Sequence, residues 1–359
     1  MTESAFIYMP ILKWRLGEYQ ALMRLNPNIK DAILPLIIVP PVEYDFEDQC
    51  PKKTVQEHIS PFAERLNDKW GTGRVLIDFH DTLEENTVSD GVLVIDYVFD
   101  GLRLKSLNAV PVINILLSGN LYLNAVKRIV SMDKNGVAFR VKFNQLMSPG
   151  LDEAIQEIIK FLNLEYQCVD LVIDLEVPRS FEPYLDFAKA LSHAINKISK
   201  LNDFRSFVVA GTSLNLSEIK KPGAEVVRHE WLLYKQLVNE LALWRKPVFG
   251  DYAIEHPDFI SLDMRFINPA GKIVYTTENT WLVPKGKSFR ENRDQMISHC
   301  ETIINSGHFC QKEYSAGDKR IYDTFHKLEG TGNQTTWKEV GVSHHLTLVV
   351  NQAAKFHAQ

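Results

Sequence analysis

Several acids and bases of this 359-residue chain stand two residues apart at the ends of short apolar runs. Asp78 and His80 close one run, with Asp81 after them; Arg140 and Lys142 close a second, Asp174 and Glu176 a third. In an extended strand, residues i and i+2 point to the same face, so each pair puts two polar groups on one side. Other runs end in Lys13 with Arg15, in Asn114, in Thr212 with Ser213, and in Asp251. Asp78, Asp174, Glu176 and Asp251, with His80, are suited to general acid and base work, and the carboxylates also to oxygen ligation of a divalent metal. Arg140 and Lys142, with Lys13 and Arg15, are suited to an anionic or phosphorylated ligand, with Asn114 and Ser213 as neutral contacts. The same residues support a plainer reading. Charges beside a core are costly unless paired, so they also fit a ring of internal salt bridges, and residue type leaves both readings open.

The elements that must position these groups recur with a period. Runs rich in Val, Ile, Leu and Phe begin near Ala5, Ile33, Arg74, Ala109, Gly136, Cys168, Arg205 and Lys246. Near-continuous apolar strands separated by helical segments mark a parallel sheet covered on both faces. Eight of them over roughly 250 residues is the size of a (β/α)8 barrel, whose functional groups collect at the C-terminal ends of the strands. The expected fold is therefore α/β, an eight-stranded parallel barrel over 1–257 with an α+β elaboration over 258–359. Helical segments follow the runs. Thr54 and Glu57 predict a capping box before Val55, Ile59, Phe62, Leu66 and Trp70; Ser148 and Pro149 predict another helix start. Phe181 to Ile195, and Val227 through Tyr234 to Leu241, repeat the helical spacing. The segment Gly17–Leu25 allows only a short helix between the first two strands.

Beyond Pro257 the rhythm breaks. A turn at Asn268–Gly271 and a run from Lys272 to Pro284 predict added strands, and helices with glycine-rich turns follow from Phe289. Trp281 and Lys285 are candidate ligand contacts on those strands, and the elaboration is expected to fold over the barrel mouth and bring one of them to the Asp78–Arg140–Asp174 group. His299, Cys300, His308 and Cys310 lack the repeated two-residue spacing of zinc sites. His344 and His345 diverge by about 100° on a helix, which favours separate pairing over one shared metal. Ser213 follows a glycine but lacks the Gly-x-Ser-x-Gly elbow of hydrolases.

Composition bounds the classes. Hydrophobic residues make up 45% and charged residues 24%, ordinary for a chain with a real core. A net charge of −5 argues against nucleic-acid binding by bulk charge. Four scattered cysteines without a Cys-x-x-Cys pair predict reduced thiols and a cytoplasmic protein. Early charges with Lys13 and Arg15 predict no signal peptide, and no run suits a membrane span.

The opening segment from Tyr8 to Leu22 and the run Ile33–Pro41 resemble the start of the phage-associated "beta protein" family. The later segments Tyr314–Ile321 and Gly330–Val350 resemble its close. Lys13, Gly17 and Glu18 carry the first motif; Gly317, Asp318, Gly332, Asn333, Trp337, His344 and His345 carry the last, with Ala316 where a larger residue is expected. Asp318 and Asn333 also read as helix caps. The resemblance implies an accessory protein of phages, satellites and genomic islands, linked to anti-phage defence or to control of a neighbouring gene's toxic product through a protein partner. It supplies no catalytic motif. The expected activity is then recognition of a small anionic ligand at a polar barrel mouth. The alternative is a metal-dependent, phosphodiesterase-like hydrolase of a phosphorylated or nucleotide substrate.

Overall fold

The computed structural model describes residues 6–239, 245–259 and 267–358. Its centre is a closed barrel of eight parallel strands: β1 (Tyr8–Leu12), β2 (Leu36–Val39), β3 (Val75–Phe79), β4 (Ala109–Asn114), β5 (Val137–Lys142), β6 (Val169–Asp174), β7 (Ser206–Ala210) and β8 (Val248–Asp251). Neighbours in sequence are neighbours in space, and the ring closes where β1 pairs with both β2 and β8. The strands start where the apolar runs place them, the largest offsets being Tyr8 for Ala5 and Leu36 for Ile33.

Alternation divides each strand between two cores. Met9, Ile11, Leu36, Ile38, Leu76, Val110, Val112, Ala138, Val172 and Val208 fill the barrel interior. Tyr8, Ile37, Ile77, Phe139, Leu171 and Phe207 point outward against the helices. Both faces are dry, which is why the strands read as unbroken apolar runs. The N-terminal end of the barrel is plugged by Asp170, which takes Arg74, Arg205 (2.8 Å) and Ser206 (2.6 Å).

The helices differ from the expectations in detail. Thr54 caps Val55–Ile59 with the reciprocal Glu57 bond, but Ser60-Pro61 interrupts the helix, which resumes at Phe62–Lys69. A proline has no N–H to continue the helical ladder. The helix read from Ser148 and Pro149 starts at Leu151, preceded by Gly150 at φ +81°, so Pro149 lies outside it. Leu241 falls outside the described residues.

The elaboration builds on a barrel loop. Strand Gly223–Val227, in the connection after β7, pairs antiparallel with Thr280–Ser288, which also pairs with Ala270–Lys272 and Tyr275–Thr276. Helices Gln295–Ile304 and Ala316–Phe325 cover this sheet around a small core of Ile273, Tyr275, Met296, Cys300, Ile303 and Trp337. The last helix, Gln334–His357, serves both cores. Trp337 and Val340 belong to the small one, while Val342, Leu346, Val349 and Val350 join the barrel's outer core. It lies along helix Leu16–Met23, and Phe356 and His357 reach Trp231 and Tyr234 on the helix after β7, His229–Asn239. It thus fills the place between the seventh and first crossover helices, where an eighth belongs.

Candidate functional site

Five barrel elements send polar groups into the interior at the C-terminal end. Arg140 on β5 bonds Asp78 on β3 at 2.5 Å and Asp174 on β6 at 2.6 and 2.9 Å. Tyr252, just past β8, donates to Asp174 at 2.5 Å and accepts from Arg140 at 2.8 Å. Asn114 on β4 donates to Asp78 at 3.1 Å. Register explains the meeting, since Asn114 lies opposite Arg140 across β4 and β5, and Asp174 opposite Lys142 across β5 and β6. All five side chains are buried. Burial works against the Arg140 charge, but Tyr252, Asp174 and Asp78 outweigh it and hold the group protonated. Burial pushes the Asp78 carboxyl up from its usual range against the pull of Arg140. The result is a closed floor whose charges are paired, with the Asn114 Oδ1 left buried and without a partner.

Above the floor lies a cavity of about 330 Å³, lined in part by His80, Lys142, Glu176, Asp258 and Phe259. Lys142 and Glu176 pair at 3.3 Å and are partly exposed. His80 is held through Nδ1 by Thr82 at 3.0 Å and meets Phe259 edge-on; burial lowers its pKa. Lys13, at the end of β1, donates to the Asp258 carbonyl and stands 4.5 Å from the Phe259 ring. Burial lowers its pKa to about 8. Arg15 is 5.7 Å from the same ring. Among the described residues, the segment Pro257–Phe259, where the elaboration begins, therefore straps the mouth, and the strands carrying Trp281 and Lys285 do not.

Four candidates lie elsewhere. Asp251 faces the helical layer, where it takes His345 at 2.9 Å and Tyr8 at 2.5 Å. On β8 the inward parity belongs to Gly250 and Tyr252, so the interior group was one residue further on. Ser213 is spent on Glu230 (2.7 Å) and the Val227 carbonyl (3.1 Å). Trp281 is fully buried, with the Arg228 guanidinium 5.8 Å from its ring. Lys285 donates to the carbonyls of Leu216 and Ile219. Both follow from the pairing of Thr280–Ser288 with Gly223–Val227, which anchors that strand to the β7 loop and away from the Arg140 group. Two participants carried no periodic signal: Glu84, 3.5 Å from Asn114 and pushed up to about 7 by burial and Asp78, and its partner Ser118. Among the described residues, no group of three or more His, Cys, Asp or Glu is placed to hold a metal ion.

The sequence pattern of the Beta protein family matches residues 8–351, nearly the whole chain. The chain belongs to the Beta protein family. No relative is found among curated proteins. Among solved structures, triosephosphate isomerase from Bartonella henselae is similar at 10% identity over 68% of this chain and 90% of that one, with a TM-score of 0.34. The barrel assignment rests instead on the closed ring of eight strands.

The residues that resemble the family's motifs have plain structural work in this Beta protein. A Cβ on Gly17 would lie 2.8 Å from Lys338, and one on Gly317 2.3 Å from the Val340 carbonyl, so both glycines let elements touch the last helix. Asp318 is not the cap expected; Ser315 caps Ala316–Phe325, and buried Asp318 instead takes Tyr275 (2.8 Å), Ser315 (2.5 Å) and His344 (2.9 Å). Asn333 does cap Gln334–His357, at 3.0 Å from the Thr336 N–H. His344 and His345 diverge to two carboxylates, Asp318 and Asp251, as their spacing predicts. Lys13 alone of the motif residues reaches the mouth.

Proposed function

We propose that this Beta protein is a binding protein of a mobile genetic element that takes a small anionic ligand at the barrel mouth. It acts through a protein partner encoded by a neighbouring gene, in anti-phage defence or in restraint of a toxic product. The accessory role comes from family resemblance; the binding role rests on one observation, the locked floor. Arg140 is consumed by Asp78, Asp174 and Tyr252, and opening a buried, hydrogen-bonded charge pair costs about 3–5 kcal/mol. These carboxylates are therefore poorly placed to exchange protons with a substrate in each turnover. The groups facing the cavity are easier to recruit. Lys142–Glu176 is partly exposed and worth about 1 kcal/mol or less, while Lys13 bonds a carbonyl. An anion entering beneath Pro257–Phe259 gains Lys142 and shifts the strap.

The test pairs cells with purified protein. Cells carrying the gene and its neighbour are challenged with phage, with Lys142→Ala and His80→Ala beside the wild type. Purified samples are screened for ligand by thermal shift with phosphate, phosphorylated sugars and nucleotides. Both variants should stay folded, lose ligand-induced stabilisation and lose protection. Magnesium-dependent turnover of a phosphodiester by the wild type, abolished in these variants, would replace binding by hydrolysis.

A further inference from the structure

Outside the mouth, between the loops that follow β1 and β2 and the start of helix Gln334–His357, lies a second cleft of about 530 Å³. Its charge is one-sided. Arg15, Lys52, Lys53, Arg65 and Lys338 line it, against Glu43, on a chain with net charge −5. Lys52 is paired with Glu43 at 3.2 Å and Lys338 with Glu255 at 2.6 Å. Arg15, Lys53 and Arg65 have no ion-pair partner among the described residues. Arg65 stands 5.2 Å from the Tyr19 ring, which forms part of the same wall. Gln334 and Thr335 also line the cleft, so the 24-residue helix brings its positive N-terminal end there.

Trp14 supplies an independent sign of a ligand. Trp14 is among the residues lining the cleft, it is only 4% exposed, and its enclosed indole N–H has no hydrogen-bond partner. A buried donor left unpaired costs about 1–3 kcal/mol. Trp14 also holds φ at +49°, a left-handed conformation that is rare for so large a side chain and concentrates at functional sites.

We propose that this cleft binds a small molecule bearing two or more adjacent phosphates, of nucleotide size. Three unpaired cations and a helix N-terminus exceed what one phosphate needs. The volume lies in the range of about 300–1,000 Å³ typical of small-ligand sites. The Trp14 indole N–H would donate to the ligand, and the Tyr19–Arg65 stack would form one wall. The cleft adjoins the mouth at Arg15, but Lys142 and Glu176 do not line it, so it stands or falls without Lys142.

The experiment titrates full-length protein with inorganic tripolyphosphate and with adenosine triphosphate by calorimetry, at low and physiological salt. Both should bind, more weakly as salt rises. Lys53→Ala with Arg65→Gln should lower affinity at least tenfold, while Lys160→Ala, a surface charge on helix Leu151–Leu162, should not. Trp14→Phe removes an unpartnered donor, so it should fold as the wild type does and still lose affinity. The Trp14 indole resonance in a ¹⁵N–¹H spectrum should move on adding tripolyphosphate. Absence of heat and of any resonance shift overturns the proposal, as does binding unchanged in the double variant. An oligothymidylate that outcompetes tripolyphosphate, with loss in the same variants, would reassign the cleft to single-stranded nucleic acid.

Discussion

Arg140 shows how residue type can be read correctly and its role left open. Arg140→Ala would leave Asp78 and Asp174 buried without their cation, and should cost about 3–5 kcal/mol in urea unfolding. Trp281→Ala should cost a similar amount, because the side chain is fully buried and its loss leaves a cavity; an unchanged unfolding midpoint would return it to a ligand-contact role. Glu230 makes a prediction in pH. Burial pushes its carboxyl up to about 7 against the pull of Arg228. A folded pKa above the unfolded value near 4.5 stabilises fully below 4.5, and that stabilisation is lost as pH rises to about 7. Glu230→Gln should therefore gain thermal stability relative to wild type at pH 8.5 compared with pH 5, and a constant difference would refute the shift. Strand alternation was enough to find Asp78, Arg140 and Asp174. It failed at Asp251 because the start of β8 sets which residues face in, and one residue of error exchanges the two faces. Glu84 lies in a loop turn, where no period exists to reveal it.

Elements were legible where burial is two-sided and local. Each barrel strand shows as an apolar run, since solvent touches neither face. The Pro61 break was equally readable in principle, but helical spacing from Val55 to Trp70 runs straight through it. The added strands of the elaboration were readable as a run, but their pairing was not, because Gly223–Val227 and Thr280–Ser288 pair across dozens of residues and the first lies inside a crossover. The tightest joint is between helices Ala316–Phe325 and Gln334–His357. Gly317→Ala should destabilise by about 1–3 kcal/mol through overpacking, given its 2.3 Å approach to a carbonyl. Gly330→Ala, with nothing within 4 Å, should leave the melting temperature nearly unchanged.

At the scale of the molecule, composition and period were sufficient for a closed barrel, whereas what covers its mouth depended, among the described residues, on the Pro257–Phe259 strap, which has no pattern of its own. The division at 257 followed sequence rhythm; space divides the chain differently, because the last helix packs on both the barrel and the elaboration. A fragment of residues 1–257 should be insoluble or molten, shown by dye binding and by loss of near-ultraviolet dichroism, and a cooperative melt from that fragment would disprove it. The same helix bears on how the chain is made. Helix Leu16–Met23 leaves the ribosome long before the surface it packs against, Gln334–His357. Until then its apolar side has no native cover, and partly folded chains with such surface are prone to aggregate. A nascent Beta protein would thus need a chaperone until Gln334–His357 emerges, and a stop codon before Gln334 would yield a product that is cleared, not a shortened working form.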